Sequence, residues 1–187
     1  MIVYLHGFRS APASRKATVL AARMAGRGLA GRFVCPQLPA SPRAAVALAE
    51  SLIAAATEPV TLVGSSLGGY YATHLAEKHG LRAVLVNPAV LAHLSLAEFV
   101  GRHENLYTGE VFDFTAQHLA ELRQLEVPAV TRPDRYWLMV ETGDEVLDYR
   151  QAVARYAGAR QTVLAGGDHS FTRWDDYLDE IIIFAGL

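Results

Sequence analysis

The sequence predicts one α/β domain over residues 1–187, with a doubly wound, mainly parallel sheet of about six strands. Short apolar runs alternate with helical patterns along the chain, as in repeated βαβ units. Most of the runs are apolar throughout, without polar alternation, which is typical of strands buried on both faces of a sheet. A chain of 187 residues is long enough to bury one full core.

The strands are predicted from six apolar runs of four or five residues. These runs are residues 2–5, 32–35, 60–63, 83–86, 136–140 and 161–164. The carboxyl ends of parallel strands meet at one edge of a sheet. Side chains on the loops that follow these strands are therefore expected to lie together there.

The helices are predicted from the residues at their ends. Ser41 followed by Pro42 is typical of a helix start, and it opens an alanine-rich helix that reaches about residue 56. Gly80 is expected to close the helix that follows residue 66, because glycine often ends helices. Asp148 can cap a further helix that ends before Gly158.

One interval is too long for a simple crossover, because about fifty residues separate the fourth and fifth strands whereas about 10–12 would suffice. The excess, at about residues 88–133, is predicted to be a small helical cap insert over the carboxyl edge of the sheet. We expect helices near 95–102 and 115–125, joined through a loop at 104–109. Capping boxes are predicted at Ser95 with Glu98 and, near the C-terminus, at Thr172 with Asp175.

Composition argues against several classes of protein. The net charge of −2 and the scattered arginines offer no basic stripe, so nucleic-acid binding is not predicted. No charge-free apolar run approaches the ~18–20 residues of a membrane span. The N-terminus lacks the basic region and cleavage site of a signal peptide, and the single Cys35 fits a reducing compartment. A cytoplasmic location is therefore predicted.

The most informative motif is Gly64-Ser65-Ser66-Leu67-Gly68, between a predicted strand and a predicted helix. A Gly-x-Ser-x-Gly pattern in this context is typical of a nucleophile elbow, whose central serine has strained backbone angles. Gly64 and Gly68 are needed there because a Cβ would strike the neighbouring strand or helix. Ser66 is the candidate nucleophile. The alternative is a tight turn that binds an anion at the helix N-terminus.

A serine nucleophile needs a base, and the base needs an orienting acid. His169 lies in a glycine-rich loop after the last strand, and Asp144 follows the strand before it. The chain order serine, aspartate, histidine is that of α/β-hydrolases, so the predicted fold is an α/β-hydrolase fold. For His169 the alternative is a role as a surface helix cap.

An oxyanion hole is predicted from the backbone N–H groups of Phe8 and Leu67. Phe8 belongs to the segment His6-Gly7-Phe8 at the end of the first strand, and Leu67 follows the candidate nucleophile. The His6 side chain is expected to pin this loop. No metal or cofactor is predicted, because the other histidines form no metal-ligand pattern. They are His74, His79, His93, His103 and His118.

With these residues in place, the chain resembles the YqiA-type esterases, small bacterial α/β-hydrolases, over nearly its whole length. The similar blocks include residues 4–8, 36–39, 63–73, 86–90, 104–109, 142–153 and 166–169. The resemblance implies carboxylic-ester hydrolysis with Ser66, Asp144 and His169 as the catalytic triad. One departure is Asp168, which stands beside the histidine where the family pattern has asparagine.

The predicted function is that of a serine esterase that hydrolyses small acyl esters through an acyl-enzyme, with no cofactor. An acyl-CoA thioesterase would use the same triad, and a ligand-sensing α/β-hydrolase with little turnover would keep it. The apolar residues of the insert are hypothesised to line an acyl site over Ser66. They include Leu94, Leu96, Phe99, Leu106, Tyr107, Phe112 and Phe114.

Overall fold

The computed structural model describes residues 1–187, which form eight strands. The strands are β1 (Ile2–Leu5), β2 (Phe33–Val34), β3 (Thr61–Ser65), β4 (Arg82–Val86), β5 (Gly101–Glu104), β6 (Val111–Phe114), β7 (Tyr136–Glu141) and β8 (Arg160–Leu164). Six of them form one parallel sheet in the order β2-β1-β3-β4-β7-β8, and β5 pairs with β6 in a hairpin. The six predicted strands are confirmed, and their ends differ from the observed ends by no more than two residues.

Seven helices accompany the strands. They are α1 (Arg15–Gly26), α2 (Pro42–Ala55), α3 (Leu67–His79), α4 (Ala92–Ser95), α5 (Ala116–Gln124), α6 (Tyr149–Arg155) and α7 (Leu178–Phe184). The predicted ends are present: the Ser41 hydroxyl accepts the Ala44 N–H at the start of α2, and Gly80 ends α3 with φ of 68°. Asp148 caps α6 by accepting the Arg150 N–H. None of the helices combines the length and apolar character needed to cross a membrane.

The sheet is covered by helices on both faces, with a separate hydrophobic core on each. Helices α2 and α3 and part of the insert pack on one face, over strand residues such as Val3 and Leu5. Helices α1 and α7 pack on the other, over Ile2 and Tyr4. Successive strand residues point to opposite faces, so both sets must be apolar. This arrangement explains the continuous apolar runs of the sequence.

The first part of the insert differs from the prediction. Instead of a helix near 95–102, the chain forms the short helix α4, a 3₁₀ turn at Ala97–Phe99 and the β5–β6 hairpin. Ser95 ends α4, and its hydroxyl bonds back to the Leu91 carbonyl oxygen instead of capping a new helix. Gly101 has a φ of 142°, which is unsuited to a helix interior. Phe112 and Phe114 alternate with polar or exposed neighbours, the period of a half-buried strand.

The second part of the insert agrees with the prediction, because α5 starts directly after Thr115. The Thr115 hydroxyl accepts the His118 N–H, and the His118 ring accepts the Thr115 N–H, which together form a capping box. Leu122 of α5 is fully buried in the core that also contains Leu75 of α3. The insert is therefore packed against the sheet's own helices.

The β5–β6 hairpin is bonded to the loop that follows β1. The Leu106 N–H donates to the Arg9 carbonyl oxygen at 2.9 Å, and the Asn105 side chain donates to the Ser10 carbonyl oxygen at 2.7 Å. The Phe8 ring lies among four other rings, with centroid distances of 5.1 to 6.0 Å. These rings belong to Phe99, His103, Phe112 and Phe114. The insert thus fixes the β1 loop beside the end of β3.

Candidate active site

Ser66 stands at the apex of the turn between β3 and α3, with φ of 55° and ψ of −121°. A residue other than glycine in this region costs of order 1–3 kcal/mol and requires surrounding contacts to hold it. The Ser66 N–H donates to the Val86 carbonyl oxygen at 3.0 Å, and its own carbonyl accepts the N–H groups of Gly69 and Ala89. These bonds fix the strained turn and place the serine side chain at the carboxyl edge of the sheet.

The close approach expected at the flanking glycines is present. A Cβ on Gly64 would lie 2.3 Å from the Gly68 carbonyl oxygen, and a Cβ on Gly68 would lie 1.9 Å from the Leu5 carbonyl oxygen. Gly7 of the β1 loop also faces the turn, because a Cβ there would lie 3.2 Å from the Ser66 Cβ. Three backbone segments therefore meet at Ser66 with no room for side chains between them.

The structure brings together the three residues that the sequence analysis proposes as a triad. His169 Nε2 lies 3.0 Å from Ser66 Oγ, and His169 Nδ1 lies 2.8 Å from Asp144 Oδ2. The Asp144 side chain is 2% exposed and the His169 side chain 23% exposed. Since the Asp144 carboxylate accepts from Nδ1, the proton belongs on Nδ1 and Nε2 is free to accept the Ser66 hydroxyl proton. The arrangement can therefore move a proton off the serine.

Three other acidic residues that are close in sequence to Asp144 or His169 do not contact the His169 ring. Asp168 accepts the N–H and hydroxyl of Ser170. Asp148 caps α6, and Glu145 accepts the backbone N–H of His169 at 3.0 Å. Asp144 is thus the carboxylate that faces the imidazole.

Asn87, which no sequence motif identifies as a site residue, holds the loop that carries His169. Asn87 follows β4, is buried, and has a φ of 40°. Its amide donates to the carbonyl oxygens of Asp168 and His169, and its side-chain oxygen accepts the Glu141 N–H at 3.0 Å. The residue thereby ties the end of β7 to the histidine loop.

Glu141, the last residue of β7, is likewise not among the site residues predicted from the sequence. Its carboxylate is fully buried and accepts the Asp168 N–H at 3.0 Å, the Thr172 N–H at 2.9 Å and the Arg173 Nε–H at 2.9 Å. Burial raises the pKa of Glu141, but the bonds from Thr172, Arg173 and Asp168 outweigh it and lower the pKa to about 2. The Thr172 hydroxyl also donates to Glu141, and the 3₁₀ turn that follows, Trp174–Tyr177, has Arg173 as its N-cap with no side-chain cap, so the predicted capping box of Thr172 with Asp175 does not form.

The sequence contains a pattern that could have identified Glu141 as a buried, hydrogen-bonded carboxylate. An acidic residue at the end of a fully apolar strand needs buried donors, and the Gly166-Gly167 pair is where the chain can come close enough to supply them. A Cβ on Gly167, whose φ is 72°, would lie 1.8 Å from a Glu141 carboxylate oxygen. Glycine at position 167 therefore leaves room for the Glu141 carboxylate and also permits the positive φ of the turn.

The low pKa of Glu141 predicts a specific dependence of stability on pH. The ordinary pKa of 4.5 falls to about 2 on folding, so the ionised group stabilises the fold above pH 4.5, and this stability is lost as pH falls through about 2. The full contribution is about 3 kcal/mol. Urea unfolding between pH 7 and pH 2.5 should show that Glu141→Gln lacks this part of the wild-type pH dependence.

The matched control for that prediction is Glu98→Gln, because Glu98 is exposed on the insert. This variant should keep the wild-type dependence of the unfolding free energy on pH. Parallel curves for wild type and Glu141→Gln over the acid range would contradict the role given to Glu141.

The backbone N–H groups of Phe8, in the β1 loop, and of Leu67, directly after Ser66, have no acceptor within the protein. Leu67 is the first residue of α3, where helix geometry leaves N–H groups unpaired. The Phe8 segment is fixed by His6, whose Nε2 accepts the Leu38 N–H at 3.0 Å while its Nδ1 donates to the Gly7 carbonyl oxygen. This is the pinning expected of His6. Both free N–H groups can donate to a bound oxygen.

Two cavities meet at the β1 loop. The larger, about 410 Å³, is lined by Ser66, His169 and the start of α1, and it also reaches Leu106 and Tyr107 of the insert. The smaller, about 290 Å³, is lined by Phe8, Leu67 and apolar groups that include Leu38 and Phe112. No group of three or more histidine, cysteine, aspartate or glutamate side chains is placed to hold a metal ion.

The hypothesis that the insert lines an acyl site over Ser66 fits only some of its residues. Leu106, Tyr107 and Phe112 line the two cavities. Phe99 and Phe114 instead pack against the Phe8 ring, and these contacts help to hold the β1 loop. Leu96 packs against the core, and Leu94 faces a separate depression beside Leu147.

Solved structures with the same architecture come from several different organisms. Alpha/beta hydrolase domain-containing protein 10 from mouse has a TM-score of 0.71 and 18% identity, over 97% of this chain and 89% of that one. Est1E from Butyrivibrio proteoclasticus has a TM-score of 0.68 and 13% identity, over 98% and 87%. A monoacylglycerol lipase from Paleococcus ferrophilus has a TM-score of 0.68 and 14% identity, over 98% and 93%. These similarities confirm the α/β-hydrolase fold.

The family comparison covers almost the whole chain. Residues 1–186 match the model of the family described as "Uncharacterised protein family (UPF0227)", which agrees with the YqiA-type resemblance seen in the sequence. The chain therefore belongs to the YqiA-like family UPF0227.

Proposed function

We propose that this protein is a serine hydrolase that cleaves carboxylic esters of small molecules through an acyl-enzyme. The observation that carries the proposal is the continuous hydrogen-bonded chain from Ser66 through His169 to Asp144, with the serine at the apex of a strained strand–helix turn. A turn that only binds an anion would not need a histidine oriented by a buried carboxylate.

In the first half of the reaction, Ser66 Oγ attacks the ester carbonyl carbon while His169 Nε2 takes the hydroxyl proton. The carbonyl oxygen becomes an oxyanion and accepts hydrogen bonds from the N–H groups of Phe8 and Leu67, each typically worth about 3–4 kcal/mol in related hydrolases. The intermediate then collapses and the bond to the alcohol oxygen breaks. His169 returns its proton to that oxygen, so the alcohol leaves neutral and the acyl group remains on Ser66.

The second half repeats these steps with water as the nucleophile. His169 takes a proton from water as its oxygen attacks the acyl carbon, and then gives that proton to Ser66 Oγ as the acid is released. Asp144 holds the imidazole in the productive tautomer in both halves. The mechanism uses no cofactor.

The names of similar structures support an ester as the class of substrate. One structure of Est1E from Butyrivibrio proteoclasticus contains ferulic acid, and the Paleococcus ferrophilus protein is a monoacylglycerol lipase. Cavities of about 410 and 290 Å³ fit a small-molecule ester divided between an acyl and an alcohol part.

Two measurements on the purified protein test the proposal. A fluorophosphonate probe should form a covalent adduct that peptide mass spectrometry locates on Ser66. A panel of acyl esters and acyl-CoA thioesters of graded chain length should show turnover with esters preferred. Preference for thioesters would make the protein a thioesterase with the same triad, and labelling without turnover on any substrate would favour a ligand sensor.

A further inference from the structure

The two cavities beside Ser66 differ in what they can accept. In the proposed mechanism His169 must reach the leaving oxygen, so the alcohol part of the ester departs on the side of the imidazole. His169 lines the larger cavity and not the smaller one. The chemistry of the larger cavity therefore selects the alcohol.

Three charged side chains line the larger cavity in addition to His169. Two of them are not available to hold an anion, because Arg15 pairs with Asp175 at 2.8 Å and Glu145 is an acidic side chain that accepts the His169 N–H. The third is Lys16.

Lys16 forms no ion pair. Its Nζ donates to the Ser170 carbonyl oxygen at 2.6 Å, and no carboxylate lies within ion-pair distance. An ammonium group held partly out of water without a directly paired carboxylate is energetically costly. Burial lowers the pKa of Lys16 to about 8, against the opposing effects of Asp168, Asp144 and Glu141, so the group still carries its proton at neutral pH. An anion in the cavity would offset that cost.

Ser14, next to Lys16, has a free hydroxyl in the same cavity. It is the N-cap residue of α1 and is 8% exposed, yet its side chain makes no hydrogen bond. Helix α1 has 12 residues and no acidic residue in its first turn, so the unpaired N–H groups of that turn have no anionic side chain beside them. The hydroxyl lines the cavity and has no hydrogen-bond partner within the protein, so it is free to donate to a bound ligand.

We propose that the larger cavity contains a subsite for an anionic group on the leaving alcohol, a carboxylate or a phosphate. The group is held by the Lys16 ammonium, the Ser14 hydroxyl and the first-turn N–H groups of α1. The inference rests on the proposed function, and it narrows the substrate to acyl esters of negatively charged alcohols.

A matched set of esters tests the subsite by kinetics. The butyrate esters of 4-hydroxybenzoate and of 4-hydroxyphenyl phosphate carry the charge on the leaving alcohol, and the butyrate ester of methyl 4-hydroxybenzoate does not. Lys16→Gln should lower kcat/KM for both charged esters by at least about tenfold, mainly through KM, and should leave the neutral ester within about twofold of wild type. Lys16→Arg should retain most of the wild-type preference.

The control for charge alone is Arg23→Gln, on the same helix but paired with Asp179 outside the cavity. It should leave all three esters unchanged. Equal losses for charged and neutral esters in Lys16→Gln, with wild-type thermal stability, would overturn the subsite.

A binding measurement separates failure of the subsite from failure of the esterase proposal. Phenyl phosphate is titrated calorimetrically into Ser66→Ala, with and without the added Lys16→Gln change. Binding should weaken at least about tenfold when the lysine is removed. If phenyl phosphate binding depends on Lys16 but no ester is hydrolysed, the subsite is supported and the esterase proposal is wrong. If esters are hydrolysed but phenyl phosphate binding does not depend on Lys16, the esterase proposal is supported and the subsite is wrong.

Discussion

Ser66→Ala is expected to lower kcat for ester hydrolysis by about 10⁶-fold and to abolish labelling by a fluorophosphonate. Without Oγ there is no nucleophile to form the acyl-enzyme, and His169 has no hydroxyl to deprotonate. The fold should remain, because alanine keeps the Cβ that this turn already accommodates and the backbone bonds of Ser66 do not involve its side chain. Single-turnover kinetics and a thermal melt measure both effects.

Ser65→Ala is the matched control, since Ser65 is the neighbouring hydroxyl at the end of β3. This variant should still be labelled and should still turn over esters. Loss of labelling in Ser65→Ala together with its retention in Ser66→Ala would move the nucleophile by one residue and contradict the elbow assignment.

Asp144→Asn is expected to lower kcat by ~10³–10⁴. The carboxylate accepts from His169 Nδ1, and it also accepts the N–H groups of Val146 and Leu147, which fix its orientation. An asparagine amide would satisfy the loop but would no longer favour the tautomer with Nε2 free, nor stabilise the imidazolium that forms during attack. The pre-steady-state burst and kcat for one ester report the loss.

Asp148→Ala, four residues further on, separates catalysis from stability. Asp148 caps α6 and does not touch His169, so its removal should cost about 1 kcal/mol of unfolding free energy and leave kcat close to wild type. A large loss of rate in Asp148→Ala with a near-normal rate in Asp144→Asn would reverse the assignment.

The strands could be predicted because burial on both faces of the sheet determines the residue types within each strand itself. A strand in the middle of a parallel sheet is buried on both faces, so its sequence is apolar at every position, as in Ile2–Leu5. The three side chains of the candidate triad lie in the turns and loops that follow β3, β7 and β8, and the parallel topology places these at one edge. The proximity of these three side chains could therefore be predicted without knowing how the helices pack on the sheet.

The β5–β6 hairpin and the contacts of Asn87 and Glu141 could not be predicted in the same way. Strands β5 and β6 are mostly exposed, with only His103, Phe112 and Phe114 turned inward, so their apolar signal is short. Asn87 and Glu141 act through donors and acceptors that lie 27 to 82 residues away in sequence. Such partners are defined only once the sheet has formed.

The attachment of the β1 loop to the hairpin divides the candidate active site into two mechanical units. Ser66, Asp144 and His169 are fixed to the sheet, whereas the Phe8 N–H is carried by a segment bonded to Asn105 and Leu106 of the insert. A displacement of the hairpin would shift one oxyanion donor and leave the proton-transfer geometry in place. In the proposed mechanism, motion of the insert would therefore weaken stabilisation of the transition-state charge, and an opening movement for substrate entry would remove one oxyanion donor while Ser66 and His169 keep their positions.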